Sequence, residues 1–223
     1  MAILTALEEE RSGIRRALAD SSAIVLTATG DGPRRAAAGA ARFLERHRPS
    51  ALIGAGLGGA LTPGLEAGDL VASRRVRFSV DDAATPDARL LERARAAGAK
   101  PATLITVDRP VVSTASKAAL AATVGGGGGD LIVADMESAA WAKEAAARGV
   151  PYLVLRAVSD AAGEELPEFL PESVGPDGSI RRAEVARRAL LRPSSWSTLL
   201  RMRRRLLDCS DALGVFLARM LAR

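Results

Sequence analysis

The chain has 223 residues, 48% hydrophobic and only 3% aromatic, with a formal net charge of +5. Such a length suits one domain with a substantial core, and so few aromatics exclude a base-stacking platform, so no nucleic-acid partner is expected. The lone Cys209 and His47 exclude an intrachain disulfide and a zinc site built from several such ligands, so no metal is expected.

In chain order, "MAILTALEEE" opens with a short apolar run and turns acidic before a signal-peptide core develops, which points to a cytoplasmic protein. No later apolar run approaches the roughly 20 residues of a membrane span. Glu8 to Glu10 read either as a solvated helix start or as acids at a strand end. "AIVLTAT" reads as a second strand and "PRRAAAGAARFLERH" as a helix. Arg34 and Arg35 stand at its start, where an anion docks or where arginines are simply solvated. His47, at its polar end, suits a solvated imidazole. "ALIGAG", "GDLVAS", "ATLITV", "DLIVAD" and "PYLVLRAVS" follow as apolar runs, with "MESAAWAKEAAARG" a helix between the last two. Strands apolar on both faces and separated by helices indicate an α/β domain around a largely parallel, buried sheet. In such domains the ligand sits at the carboxyl ends of the strands, where Glu8 to Glu10, Asp31, Gly56 to Gly59, Asp135 to Glu137 and Asp160 fall.

Gly125 to Gly129 read as a flexible connection, without the Lys-Ser/Thr ending of a P-loop. "PESVGPDGSIRR" carries turn signals and reads as a loop. Beyond it, Leu199, Met202, Leu206, Cys209, Leu213, Phe216 and Met220 form one apolar stripe on a helix. Eleven arginines stand between Arg181 and Arg223 against Glu184, Asp208 and Asp211. The basic charge therefore belongs to the tail, and suits an anionic surface.

The ordered segments "TALEEE", "GAGLGGALTPGLEAGDLVAS", "TVDRPVVSTASKAAL", "VADMESAAWA" and "LVLRAVSDAA" resemble the nucleoside phosphorylase and nucleosidase superfamily, over roughly Ala2 to Leu170. "TALEEE" is similar to the methylthioadenosine/adenosylhomocysteine nucleosidases. The glycine segment, "VDRPVVSTASKAAL" and the arginine-rich tail look more like the hopanoid-associated branch, which removes adenine from adenosylhopane. The resemblance implies an α/β three-layer nucleoside phosphorylase-like fold, a mostly parallel central mixed sheet flanked by helices. Residues 1–170 would be the catalytic core, and 171–223 a basic loop and amphipathic helical extension of the same domain. It implies cleavage of the N-glycosidic bond of an adenine nucleoside by a homodimer. For a lipid nucleoside, the striped helix with its cluster Arg201, Arg203, Arg204 and Arg205 would lie on an anionic membrane at its inner face; the other reading is that the stripe packs on the body or across a dimer, with the arginines solvated.

Such cleavage makes an oxocarbenium-like sugar and an anionic base, so it needs an acid for the base, a holder for the sugar and a nucleophile. By resemblance, Asp160 would protonate the purine at N7, its proton retained near neutrality by desolvation, with Ser159 orienting it. Glu137 would accept from the ribose hydroxyls, Met136 would pack on the sugar, and Val111 and Val112 would line the purine pocket. Glu10 would activate water, with Glu9 as the substitute in a three-Glu run. Gly58, with Gly56 and Gly59, would offer N–H groups to an anion. Leu57 stands where relatives carry a hydroxyl, so hydrolysis, favoured through Glu10, and phosphorolysis both stay open. Phosphate is the candidate co-substrate, at Gly32 and Arg34, and no other cofactor is implied. Taken singly, Asp160 reads as a cap, Glu137 as a first-turn acid and Met136 as core; their joint order favours the functional roles. A nucleosidase for soluble thio-nucleosides and an inactive, basic-tailed surface-binding relative are the alternatives.

Overall fold

The computed structural model describes residues 1–18, 23–78, 83–125 and 129–222. Strands β1 (Ala2–Thr5), β2 (Val25–Ala28), β3 (Leu52–Ala60), β4 (Leu70–Arg77), β5 (Ala83–Ala84), β6 (Lys100–Thr106), β7 (Ile132–Asp135) and β8 (Tyr152–Asp160) form one sheet. Helices are α1 (Glu8–Ala17), α2 (Pro33–Arg46), α3 (Ala88–Ala96), α4 (Thr114–Val124), α5 (Ser138–Ala147), α6 (Arg182–Leu190) and α7 (Trp196–Leu221).

The sheet is mixed and mostly parallel, as expected, but its centre is not open. β3 pairs in parallel with β8 and antiparallel with β7, β7 and β4 each pair in parallel with β6, and β4 returns antiparallel to β8. Those five strands close a ring, with β1 and β2 carried outside it on β3 and β5 on β4. A ring of strands buried on both sides explains why β8 reads apolar nearly throughout. One apolar group joins Leu4, Leu52, Val71, Leu104, Val154 and Trp141 with α2 and α5. A second joins Ile3, Ile53, Leu153 and Leu155 with α1, α3 and α7.

"GAGLGG", whose Gly56 to Gly59 were expected at the carboxyl end of a strand, lies within β3 itself. The glycines permit close approach: a Cβ on Gly54 would lie 2.5 Å from the Trp141 ring, and one on Gly58 2.6 Å from Val133. The expected loop "PESVGPDGSIRR" holds through a bridge between Val174 and Ile180, but α6 follows it at once, a helix the turn signals concealed. The stripe on α7 faces inward, with Cys209, Leu213, Phe216 and Met220 buried against the body. Of the glycine run at Gly125 to Gly129, residues 126–128 lie outside the described residues.

Candidate active site

β3 changes partner along one edge. Leu52–Gly54 pair with β1, Gly59 and Ala60 pair with β7, and the stretch between them has no strand on that side. The freed backbone polar groups need other partners. Leu57 N–H donates to Glu10 Oε1 at 3.1 Å, and Leu57 C=O accepts from Arg156 Nη1 at 3.1 Å. Gly56 makes room for both: a Cβ there would lie 2.5 Å from Arg156 Nη1 and 2.8 Å from Glu10 Oε1.

Glu10 is the third residue of α1, and its carboxylate turns back over the helix start. Oε2 accepts from Ala6 N at 3.0 Å and Leu7 N at 2.9 Å. Burial pushes its carboxyl up, against the lowering pull of those N–H groups and Arg156. The neighbouring acids face away: Glu8 pairs with Arg11 and Glu9 with Arg182 on the surface. Of the three-Glu run, only Glu10 is buried.

Glu137 stands at the N-cap position of α5, with its side chain turned to other partners. Its Oε1 accepts from Gly32 N at 2.9 Å, and its Oε2 lies 3.3 Å from Arg156 Nη2. Burial pushes its carboxyl up to about 7, with Asp135 and Glu10 adding to the rise and Arg156 opposing it. Asp135 itself is a helix-start acceptor. Its Oδ1 takes Thr106 Oγ1 and the N–H groups of Glu137 and Ser138. Met136 is half-buried between the two acids.

Asp160 closes β8 opposite Gly59. Ser159 Oγ donates to Asp160 Oδ1 at 2.5 Å and is also 3.2 Å from Gly58 C=O. A Cβ on Gly59 would lie 2.9 Å from Asp160 Oδ2. Lys117 Nζ, from α4, lies 2.6 Å from Oδ2 in a pair with side chains only 1% and 6% exposed.

The three acids thus line one strand, Glu10 at Leu57, Glu137 beside it through Arg156, and Asp160 at Gly59. From Gly56 to Gly59 the strand advances about 10 Å, a span that a nucleoside covers with a hydrogen bond at either end. Val111 packs half-buried near Leu61 and Ile105, Val112 near Phe169. Gly32 N–H is committed to Glu137 and Arg34 Nη1 to Pro176 C=O at 3.1 Å, so neither points at an open anion site. A rim segment lies over these groups: Asp31 accepts from Ile180 N, Arg35 pairs with Asp177 and Arg182 with Glu9. His47 is at the other end of the strands, stacked on Phe43 and lining a surface cleft with Arg48, Arg148 and Pro151.

Sequence reasoning passed over Arg156 and Lys117. Each left a signal, a single cation inside an apolar run, "LVLRAV", or inside an alanine-rich helix, "STASKAAL".

Compared with known proteins, residues 11–191 match the phosphorylase superfamily. A 5'-methylthioadenosine/S-adenosylhomocysteine nucleosidase of Geobacillus kaustophilus is 32% identical over 165 residues, 66% of this chain and 70% of the relative. One from Anoxybacillus flavithermus is 29% identical over 202 residues, 74% of this chain and 87% of that one. Among solved structures, a Campylobacter jejuni 5'-methylthioadenosine/S-adenosyl homocysteine nucleosidase superposes with a TM-score of 0.72 at 20% identity, covering 99% and 97% of the two chains. A futalosine hydrolase of Helicobacter pylori gives 0.74 at 15%, with the same coverage.

Proposed function

The chain belongs to the phosphorylase superfamily, and from that premise we propose that it is an adenine-nucleoside nucleosidase that hydrolyses the N-glycosidic bond. The observation that carries the proposal is the row of Glu10, Glu137 and Asp160 along β3. Relatives named as nucleosidases support it.

In this mechanism the purine lies toward Gly59, where Asp160 delivers a proton to N7 as the glycosidic electron pair moves onto the ring. Ser159 fixes the carboxyl from behind, Val111 and Val112 flank the base and Met136 the sugar. Glu137 accepts from the ribose hydroxyls. Glu10, anchored by three N–H groups, takes the proton of the attacking water; a buried carboxylate is a stronger base than a solvated one. The chemistry needs only the chain's own groups and water, with phosphate as the co-substrate to be tested. Adenine release from adenosylhopane, methylthioadenosine and adenosylhomocysteine, each with and without phosphate, tests this reading. No release from any nucleoside removes it, and dependence on phosphate replaces hydrolysis by phosphorolysis.

The finer reading is a lipid nucleoside, adenosylhopane, with the enzyme, a homodimer by family resemblance, meeting it at an anionic membrane. Among the described residues no helix is long and apolar enough to cross a membrane. The corner between α6 and α7 nevertheless exposes Leu190, Leu191, Trp196 and Leu200, at 71%, 75%, 48% and 66%. Arg192, Arg203 and Arg204 are exposed beside them. Arg201 and Arg205 pair instead with Glu164, at 3.5 and 2.6 Å, Arg201 while still exposed. Apolar anchors ringed by arginines fit a helix lying in an anionic interface.

A further inference from the structure

Lys117 is the one charged residue of α4, and it is 1% exposed. All three ammonium hydrogens are used: Nζ lies 2.6 Å from Asp160 Oδ2, 2.8 Å from Ala161 C=O and 2.7 Å from Glu164 C=O. Removing a long cationic chain from water is expensive unless its charge is met, and a packing role at this position needs no charge. Other charged groups stand further out: Glu164, on the loop after β8, is held by Arg205 and Arg201 of α7. Arg205 also donates to Ser159 C=O at 3.1 Å. β3 presents only glycine backbone, Gly58 and Gly59, to this end of the site.

We propose that the Lys117–Asp160 pair, and not Asp160 alone, is the unit that supplies the proton to the departing purine. The inference rests on the nucleosidase reading. The glycosidic C–N bond breaks with its electrons moving to the base; as Lys117 passes a proton to the Asp160 carboxylate, Asp160 passes one to a ring nitrogen and is a carboxylate again. Lys117 is left as a neutral amine whose two hydrogens still meet the carbonyls of Ala161 and Glu164. The proton released by the attacking water restores the balance through solvent as products leave. Lys117 is then a positioning residue acting through Asp160, which touches the base.

The test is steady-state adenine release at pH 7 by the full chain and its Lys117→Ala and Lys117→Arg variants, with melting temperatures measured in parallel. Lys117→Ala should lower kcat about 100-fold or more, the scale of a lost proton donor, with little change in KM. Ethylammonium should restore part of that rate, and tetramethylammonium, which has no proton to give, should not. Lys117→Arg keeps the charge but not a transferable proton, so it should stay slow while folding normally. Near-normal turnover in Lys117→Ala, full activity in Lys117→Arg, or a loss indifferent to ethylammonium overturns the relay while leaving the nucleosidase standing. A wild-type chain that releases no adenine removes both.

Discussion

Asp160 and Glu137 carry different burdens because their neighbours differ. Asp160 meets an ammonium and a hydroxyl, Glu137 an arginine it shares with Asp135. Asp160→Asn keeps the shape and the hydrogen-bond reach of the side chain but cannot cycle a proton, so adenine release should fall by about 100-fold or more with the fold intact. Turnover near the wild-type rate would take Asp160 out of the mechanism. For Glu137 the expectation is a pH effect. Its carboxyl, pushed up to about 7 by burial, is protonated below that value in the free enzyme. A neutral carboxyl is the poorer acceptor for ribose hydroxyls, so kcat/KM for a riboside should fall as pH drops through about 7. Glu137→Gln should abolish that dependence and penalise ribosides more than 2′-deoxy nucleosides; equal losses on both would contradict the ribose role. The acids were legible in the sequence because each follows an apolar run at a strand end. Arg156 and Lys117 were not, because a lone cation declares its partner only when the fold brings an acid from 21 or 43 residues away. Glu10 was preferred to Glu9 by resemblance alone; the physical reason, which way α1 faces, is visible only in the fold.

At the scale of elements, α1 carries Glu10 and is braced by α7. The two helices touch through glycine: a Cβ on Gly13 would meet Ser210 Cβ at 2.7 Å, and one on Gly214 would meet Gly13 C=O at 2.9 Å. Gly13→Ala should therefore force the helices apart, destabilising the protein by about 1–3 kcal/mol as overpacked sites do. It should also weaken catalysis, because Gly13 lies one turn from Glu10. A melting temperature equal to wild type would show that the crossing yields without strain. Most strands and the inward stripe of α7 could be read from apolar patterning. The closure of the ring could not, because parallel pairing between β3 and β8 leaves no local mark, and strand glycines look like turn glycines. α6 was hidden for another reason: it has few apolar residues to set a period, and its start follows turn residues without a break.

For the whole molecule, the exposed corner of α6 and α7 decides whether the enzyme works from solution or from a surface. Replacing Leu190, Leu191 and Leu200 with Ser, and separately Arg192, Arg203 and Arg204 with Gln, should each reduce binding to liposomes containing anionic lipid. Cleavage of a soluble adenine nucleoside should be unchanged, since these residues stand apart from β3. Failure of the wild-type chain to bind such liposomes at low salt ends the membrane proposal. The closed ring has a consequence of another kind, in the order of assembly. Leu52 pairs with Tyr152 and Gly59 with Asp160, so the last seam joins segments far apart along the chain, and such distant pairings form slowly. Until that seam closes, Asp160 is not beside Gly59, and Arg156 has not reached Leu57 or Glu137. A ribosome-bound chain still lacking β8 therefore has neither Asp160 nor Arg156 at the site and no activity: catalytic competence arrives at ring closure.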